Sequence, residues 1–183
     1  MSRKADPPSL ATGRSASTAP RSAATRPAAG AARPATMRPA AVTALVAVLI
    51  LQAAGGLGGG AALIASPKGG IIRLPLSDLA GSPFHDFLIP GIILFVVLGL
   101  APLLVAWALL YRPLVAFLQA VNPFRRQYWA WTAAGVIGVG LLIWIAVEVA
   151  IIPFSVLQPF YAAVGLVIIV LTLRRAVRDY YRW

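Results

Sequence analysis

Cysteine is absent from the 183 residues. That excludes disulfide bridges, thiol catalysis, cysteine-borne lipid anchors and thiolate metal sites together. Histidine occurs once and acidic residues only five times, too few for a histidine- or carboxylate-rich metal cage. Charged residues of all kinds make up 11% of the chain, against 60% hydrophobic. Soluble globular chains lie nearer half apolar and about a quarter charged, so a small core cannot hide this much apolar surface. Long aliphatic runs exclude disorder along the whole chain. A membrane protein is the class that remains.

What is present divides the chain in two. Residues 1–38 consist largely of Ala, Pro, Ser, Thr and Arg, with seven basic residues from Arg3 to Arg38, spaced singly after the adjacent Arg3 and Lys4. Such a segment buries too little to offset its ordering entropy and reads as a disordered cytoplasmic tail. An organellar transit peptide shares its Arg- and Ser-rich look, and a true start at Met37 is a further expectation. Residues 39–183 read as a transmembrane domain.

Four apolar runs are predicted as helices over about 40–65, 87–111, 128–152 and 155–173. Each approaches the roughly 20 residues needed to cross a hydrocarbon core about 30 Å thick. A cleaved signal peptide competes for the first run, but its apolar stretch should be only about 7–15 residues. Pro90 falls in the first turn of the second run, and Pro102 lies inside it, where a kink is expected. Fourteen of the sixteen basic residues then fall on one side, leaving Lys68 and Arg73 on the other. The positive-inside rule gives an antiparallel four-transmembrane-helix bundle, all-α, with both termini cytoplasmic. Trp107, Tyr111, Tyr128, Trp129, Trp131, Tyr180, Tyr181 and Trp183 cluster near the inner interface, as amphipathic rings do. The net charge of +11 follows from topology, so no nucleic-acid partner is expected.

Few residues carry candidate chemistry. Glu148 interrupts the third run, and charges at such depth usually face protein or water. Asp86 opens the second run, where a carboxylate caps exposed amides and matches the helix dipole. With His85 and Gln158 these acids form a candidate polar cluster at the outer leaflet; the alternative for each residue is a purely structural role. In the first run Gly55 and Gly59, and Gly56 and Gly60, lie four apart and allow close helix approach, with Gln52 able to hydrogen-bond across the same contact. The partner helix, in this chain or another, stays open. No GK[ST] follows these glycines, so they form no phosphate loop. Residues 112–124 read as an interfacial segment.

The stretches LPLSDLAGSPFHDFLIPGIILFVVLGLAPLL (74–104), LLIWIAVEVAIIPF (141–154) and LQPFYAAVGL (157–166) resemble a family of small, uncharacterised four-helix bacterial membrane proteins. That resemblance implies a bacterial plasma membrane, marks Asp86 and Glu148, and brings no activity. The chain is therefore expected to be a non-enzymatic accessory or interaction subunit, with the bilayer and a homo-oligomer or membrane-protein partner around it. No cofactor or metal is expected. A cation- or proton-coupled transporter using the outer acids is the alternative, followed by a lipid-modifying enzyme. Against the enzyme, no nucleophile–base–orienter set is spaced in the sequence.

Overall fold

The computed structural model describes residues 38–151 and 153–182, all within the compact unit Met37–Trp183. The tail expected to be disordered lies outside the described residues, apart from Arg38. Among the described residues the fold is all-helical, with one isolated antiparallel bridge between Gln127 and Arg182. Helix α1 spans Ala40–Ala65 and α2 spans Leu88–Tyr111. The short α3 is Ala116–Ala120, α4 is Trp129–Ile151, α5 is Leu157–Leu173 and α6 is Arg175–Tyr180. Three of these, α1, α2 and α4, are long and apolar enough to cross a membrane. Helix α5 is apolar but shorter, at 17 residues.

Local chemistry sets the helix ends. Pro39 has no amide proton to lose and supplies its carbonyl to Val42 at 2.9 Å, which opens α1. Helix α2 ends at Arg112, whose left-handed backbone (φ 52°, ψ 49°) returns its amide to the Ala108 carbonyl at 2.8 Å. Between its ends α2 widens into a π turn at Val96–Leu100, just before Pro102. Proline at position 102 can offer no amide to the carbonyl of Leu98 four residues earlier, and its ring would crowd that carbonyl in a regular α-helix. The π turn relieves the crowding. The Gln52 side chain of α1 donates from Nε2 to the Leu98 oxygen at 3.1 Å. Where a kink is expected, beside Pro102, the helix carries a wider turn and a capping side chain from the neighbouring helix.

Helix α1 packs along the length of α2 and against α5, while α4 packs against α5 and the second half of α2. The first half of α2 rests on α1. Glycines set the α1–α2 approach. A methyl group at Gly56 would collide with the Leu98 carbonyl, and one at Gly60 would sit 2.6 Å from the Phe95 amide nitrogen. From the other side, a methyl at Gly99 would lie 2.8 Å from the Leu57 nitrogen. Backbone meets backbone here, the contact that small residues make available in a bilayer. The other two glycines separate. Gly55 faces the ring of Tyr161 on α5, whereas Gly59 faces only the Leu94 side chain, 3.2 Å from a methyl placed there. The helices that meet all four glycines belong to this chain. Gly138 and Gly165 repeat the arrangement between α4 and α5: a methyl placed on either would lie 3.1–3.2 Å from the other's carbonyl oxygen.

Candidate functional site

Polar groups collect at the two ends of the helices. One end, called the loop end here, carries residues 66–87 and the α4–α5 turn; the other carries most of the arginines. At the loop end Phe87 is 2% exposed and packs with Leu63 and Leu79. Its amide donates to the Pro67 carbonyl at 2.9 Å, which ties the loop to the top of α1. Asp86, next to it, accepts the Leu88 amide on Oδ1 at 3.0 Å. The carboxylate therefore satisfies one of the orphan donors of α2 at the positive end of its dipole. His85 is exposed.

Glu148 and Gln158 lie at the α4–α5 turn. Gln158 is 1% exposed, and its Oε1 accepts the Ser155 amide at 3.2 Å, which fixes the turn. The side chains of Trp144 and Gln158 are the polar groups that bear on the Glu148 carboxyl, although Gln158 Nε2 makes no hydrogen bond of ordinary geometry. No hydrogen bond joins this pair to Asp86 or His85. Asp86 and His85 open α2, whose first half rests on α1, while Glu148 and Gln158 flank the turn between α4 and α5. Among the described residues no three His, Cys, Asp or Glu side chains are placed to share a metal ion.

The basic end is richer than the sequence suggested. Helix α2 ends with carbonyls that have no intrahelical donor, and other parts of the chain supply donors to two of them and to Pro113 just beyond. Tyr181 Oη donates to Leu109 O at 2.7 Å, Arg38 Nη2 to Leu110 O at 3.4 Å, and Tyr128 Oη to Pro113 O at 2.9 Å. The Arg112 guanidinium lies 4.1 Å from the Tyr180 ring centre and 4.8 Å from that of Tyr181, and donates to Tyr180 O at 2.9 Å. Stacked ring over cation is a favourable electrostatic arrangement. The Tyr128 amide donates to Tyr181 O at 2.9 Å, and the two rings stack at 6.0 Å. Burial pushes the Tyr181 phenol up to about 12, a rise that nearby Arg112 partly opposes. The Tyr128 phenol is raised as well, again by burial, against the Trp129 hydrogen bond and Arg112.

Residues 119–132 brace the same end. Asn122 donates to Gln127 O at 2.8 Å and accepts from Thr132 Oγ1 at 2.8 Å. Gln119 Oε1 accepts the Trp129 amide at 3.0 Å, and so caps α4 from outside the helix. Read from sequence, these aromatics form an interfacial belt and residues 112–124 an amphipathic segment. Tyr128, Trp129, Trp131 and Tyr181 also donate from their side chains to backbone carbonyls. Pro113 directly after Arg112 was the available signal, since a helix must stop before a proline and leave its last carbonyls bare.

No family model, curated protein or solved structure matches this chain.

Proposed function

We propose that the chain is a non-enzymatic accessory or interaction subunit of a bacterial plasma membrane, and that α1, α2, α4 and α5 all cross the bilayer as an antiparallel bundle with both termini inside. The observation that carries the interaction reading is the outward face of α1. Besides Ile50 and Leu51, its exposed positions are Ala54, Gly58, Ala61 and Ala65 in the half nearer the loop end, and Ala40, Thr43, Ala44 and Ala47 in the other half. Ile50 and Leu51 form a ridge between them, 46% and 50% exposed. A surface meant only for lipid is served by large aliphatic side chains, whereas small residues at four-residue spacing let another helix approach. A methyl group at Gly58 would meet nothing within 4 Å. The same residue types elsewhere on α1 are covered by α2 and α5, so the outward set is the uncovered counterpart of a contact this fold already uses. The resemblance to small four-helix bacterial membrane proteins belongs to the same proposal.

Native mass spectrometry of the intact protein, extracted in mild detergent, tests this. The expected result is a defined complex with a membrane-embedded partner, which Gly58→Leu releases while the chain stays folded. A chain that leaves the membrane as a lone subunit, unaltered by Gly58→Leu, removes the reading.

The orientation is supported by charge. Arg112, Arg125, Arg126, Arg174, Arg175, Arg178 and Arg182 all follow the ends of helices at the basic end, and retained basic loops favour the cytoplasm. Single cysteines at Ser77 and Arg126, both exposed, are expected to react with an impermeant thiol reagent from opposite faces, Ser77 from outside. Gln127 is a poorer reporter because it is buried. Labelling of both from one face overturns the topology.

A further inference from the structure

A groove of about 470 Å³ runs between α4 and α5, floored by Gly135 and Gly140 and walled by Val136, Val139, Ile143 and Ile169. A methyl group at Gly140 would meet nothing within 4 Å, and one at Gly135 only the Thr172 methyl at 3.7 Å. Three polar side chains line it, and all three are satisfied elsewhere. Thr132 Oγ1 donates to Asn122 at 2.8 Å, Thr172 Oγ1 to Ile168 O at 2.7 Å, and Trp131 Nε1 to Thr172 O at 2.7 Å. The groove therefore offers hydrocarbon to its occupant, and a polar ligand would find no partner.

Length separates the candidate occupants. From Thr132 to Ile143 the groove follows α4 for about 17 Å at about 1.5 Å per residue. That is close to one leaflet, half of a hydrocarbon core about 30 Å thick. A partner helix crossing the bilayer would need a seat along the whole depth.

Charge identifies the other half of the occupant. At the basic end the groove closes with Phe124 and Leu173, and each is followed directly by a pair of exposed arginines, Arg125–Arg126 and Arg174–Arg175. The Phe124 ring meets Trp131 edge-on at 5.7 Å, which fixes the first pair at the mouth. A neutral acyl chain would gain nothing from four guanidinium groups. A phosphate would, because arginine matches its oxygens in a planar fork, and basic pockets between membrane helices suit anionic headgroups. We propose that this groove holds one acyl chain of an anionic phospholipid, with its phosphate among Arg125, Arg126, Arg174 and Arg175. The site lies on α4 and α5 and does not depend on a partner at α1.

The test is native mass spectrometry of the full chain with phosphatidylglycerol or phosphatidylcholine added, thermal unfolding serving as the folding check. The wild-type chain is expected to retain phosphatidylglycerol in preference to phosphatidylcholine. Arg125→Gln with Arg126→Gln should cut that preference about fivefold per arginine removed. Gly140→Leu should lower retention of both lipids by filling the groove. Val139→Trp is a second filler with the same expected result, should the first destabilise the chain. Equal retention of the two lipids by the wild-type chain overturns the proposal. So does unchanged retention in a folded groove-filling variant, or the loss of a second copy or a protein partner from it in place of lipid.

Discussion

Gly56→Leu is expected to leave little folded protein, where Gly58→Leu two residues away leaves the fold intact. The difference comes from what faces each glycine. At position 56 the first added carbon collides with the Leu98 carbonyl and lies 2.6 Å from the Gly99 nitrogen. Backbone has no rotamer to change, so α1 and α2 must part. Overpacking of ordinary cores costs about 1–3 kcal/mol; a backbone-to-backbone clash belongs in the tail beyond about 4 kcal/mol. Separation would also pull Gln52 from Leu98, exposing the carbonyl next to Pro102 without its donor. At position 58 the added side chain meets open space, and replacing a helical glycine adds up to about 1 kcal/mol of intrinsic propensity. Thermal unfolding in detergent, with size-exclusion profile as a second readout, distinguishes the two variants. Equal stability of both would mean that α1 and α2 do not meet at Gly56.

Alkaline pH is expected to open the basic end. The folded chain holds the Tyr181 phenol at about 12 against an ordinary value of 10.0, so it favours the neutral form. The resulting stabilisation is complete below about pH 10 and disappears as pH rises through about 12. The physical reason is plain: a phenolate cannot donate to Leu109 O, and burial leaves its charge poorly solvated. Tyr128, raised in the same direction, adds to the loss. Tyr181→Phe should flatten this alkaline fall while costing about 1 kcal/mol at neutral pH for the lost hydrogen bond. Deleting residues 180–183 should cost more, about 3 kcal/mol, since Arg112 and the Tyr128 amide lose their acceptors and a buried ring is removed. Melting temperatures between pH 8 and pH 12 would show this. An unchanged alkaline slope in Tyr181→Phe would assign the transition to another group.

Sequence made the apolar helices legible because bilayer thickness imposes a length that composition reveals directly. Pro39 before Ala40 and the arginines after Tyr111 and Leu173 marked where apolar runs stop. The π turn was not legible. Pro102 announced a problem in the helix, but its solution required Gln52, 46 residues from the Leu98 carbonyl it caps. Glycine spacing pointed to close packing, yet Gly55 and Gly59, four apart, meet Tyr161 and Leu94 on different helices, and periodicity does not resolve that. The polar candidates at the loop end shared a side in the linear reading. Whether they share a site depends on how α2 leans, which is a packing outcome. The tyrosine cluster was hidden for a different reason: interfacial aromatics look alike in sequence whether they face headgroups or cap a helix.

The capping of α2 also imposes an order on biosynthesis. Helices α1 and α2 can pair as soon as both have entered the bilayer, since Gly56, Gly60 and Gln52 need nothing further. The carbonyl of Leu109 waits for Tyr181, and the Arg112 guanidinium waits for the Tyr180 carbonyl. Until residues 180–181 leave the ribosome, the second helix therefore has a frayed end, and a nascent chain stalled earlier would present that end to proteases and chaperones.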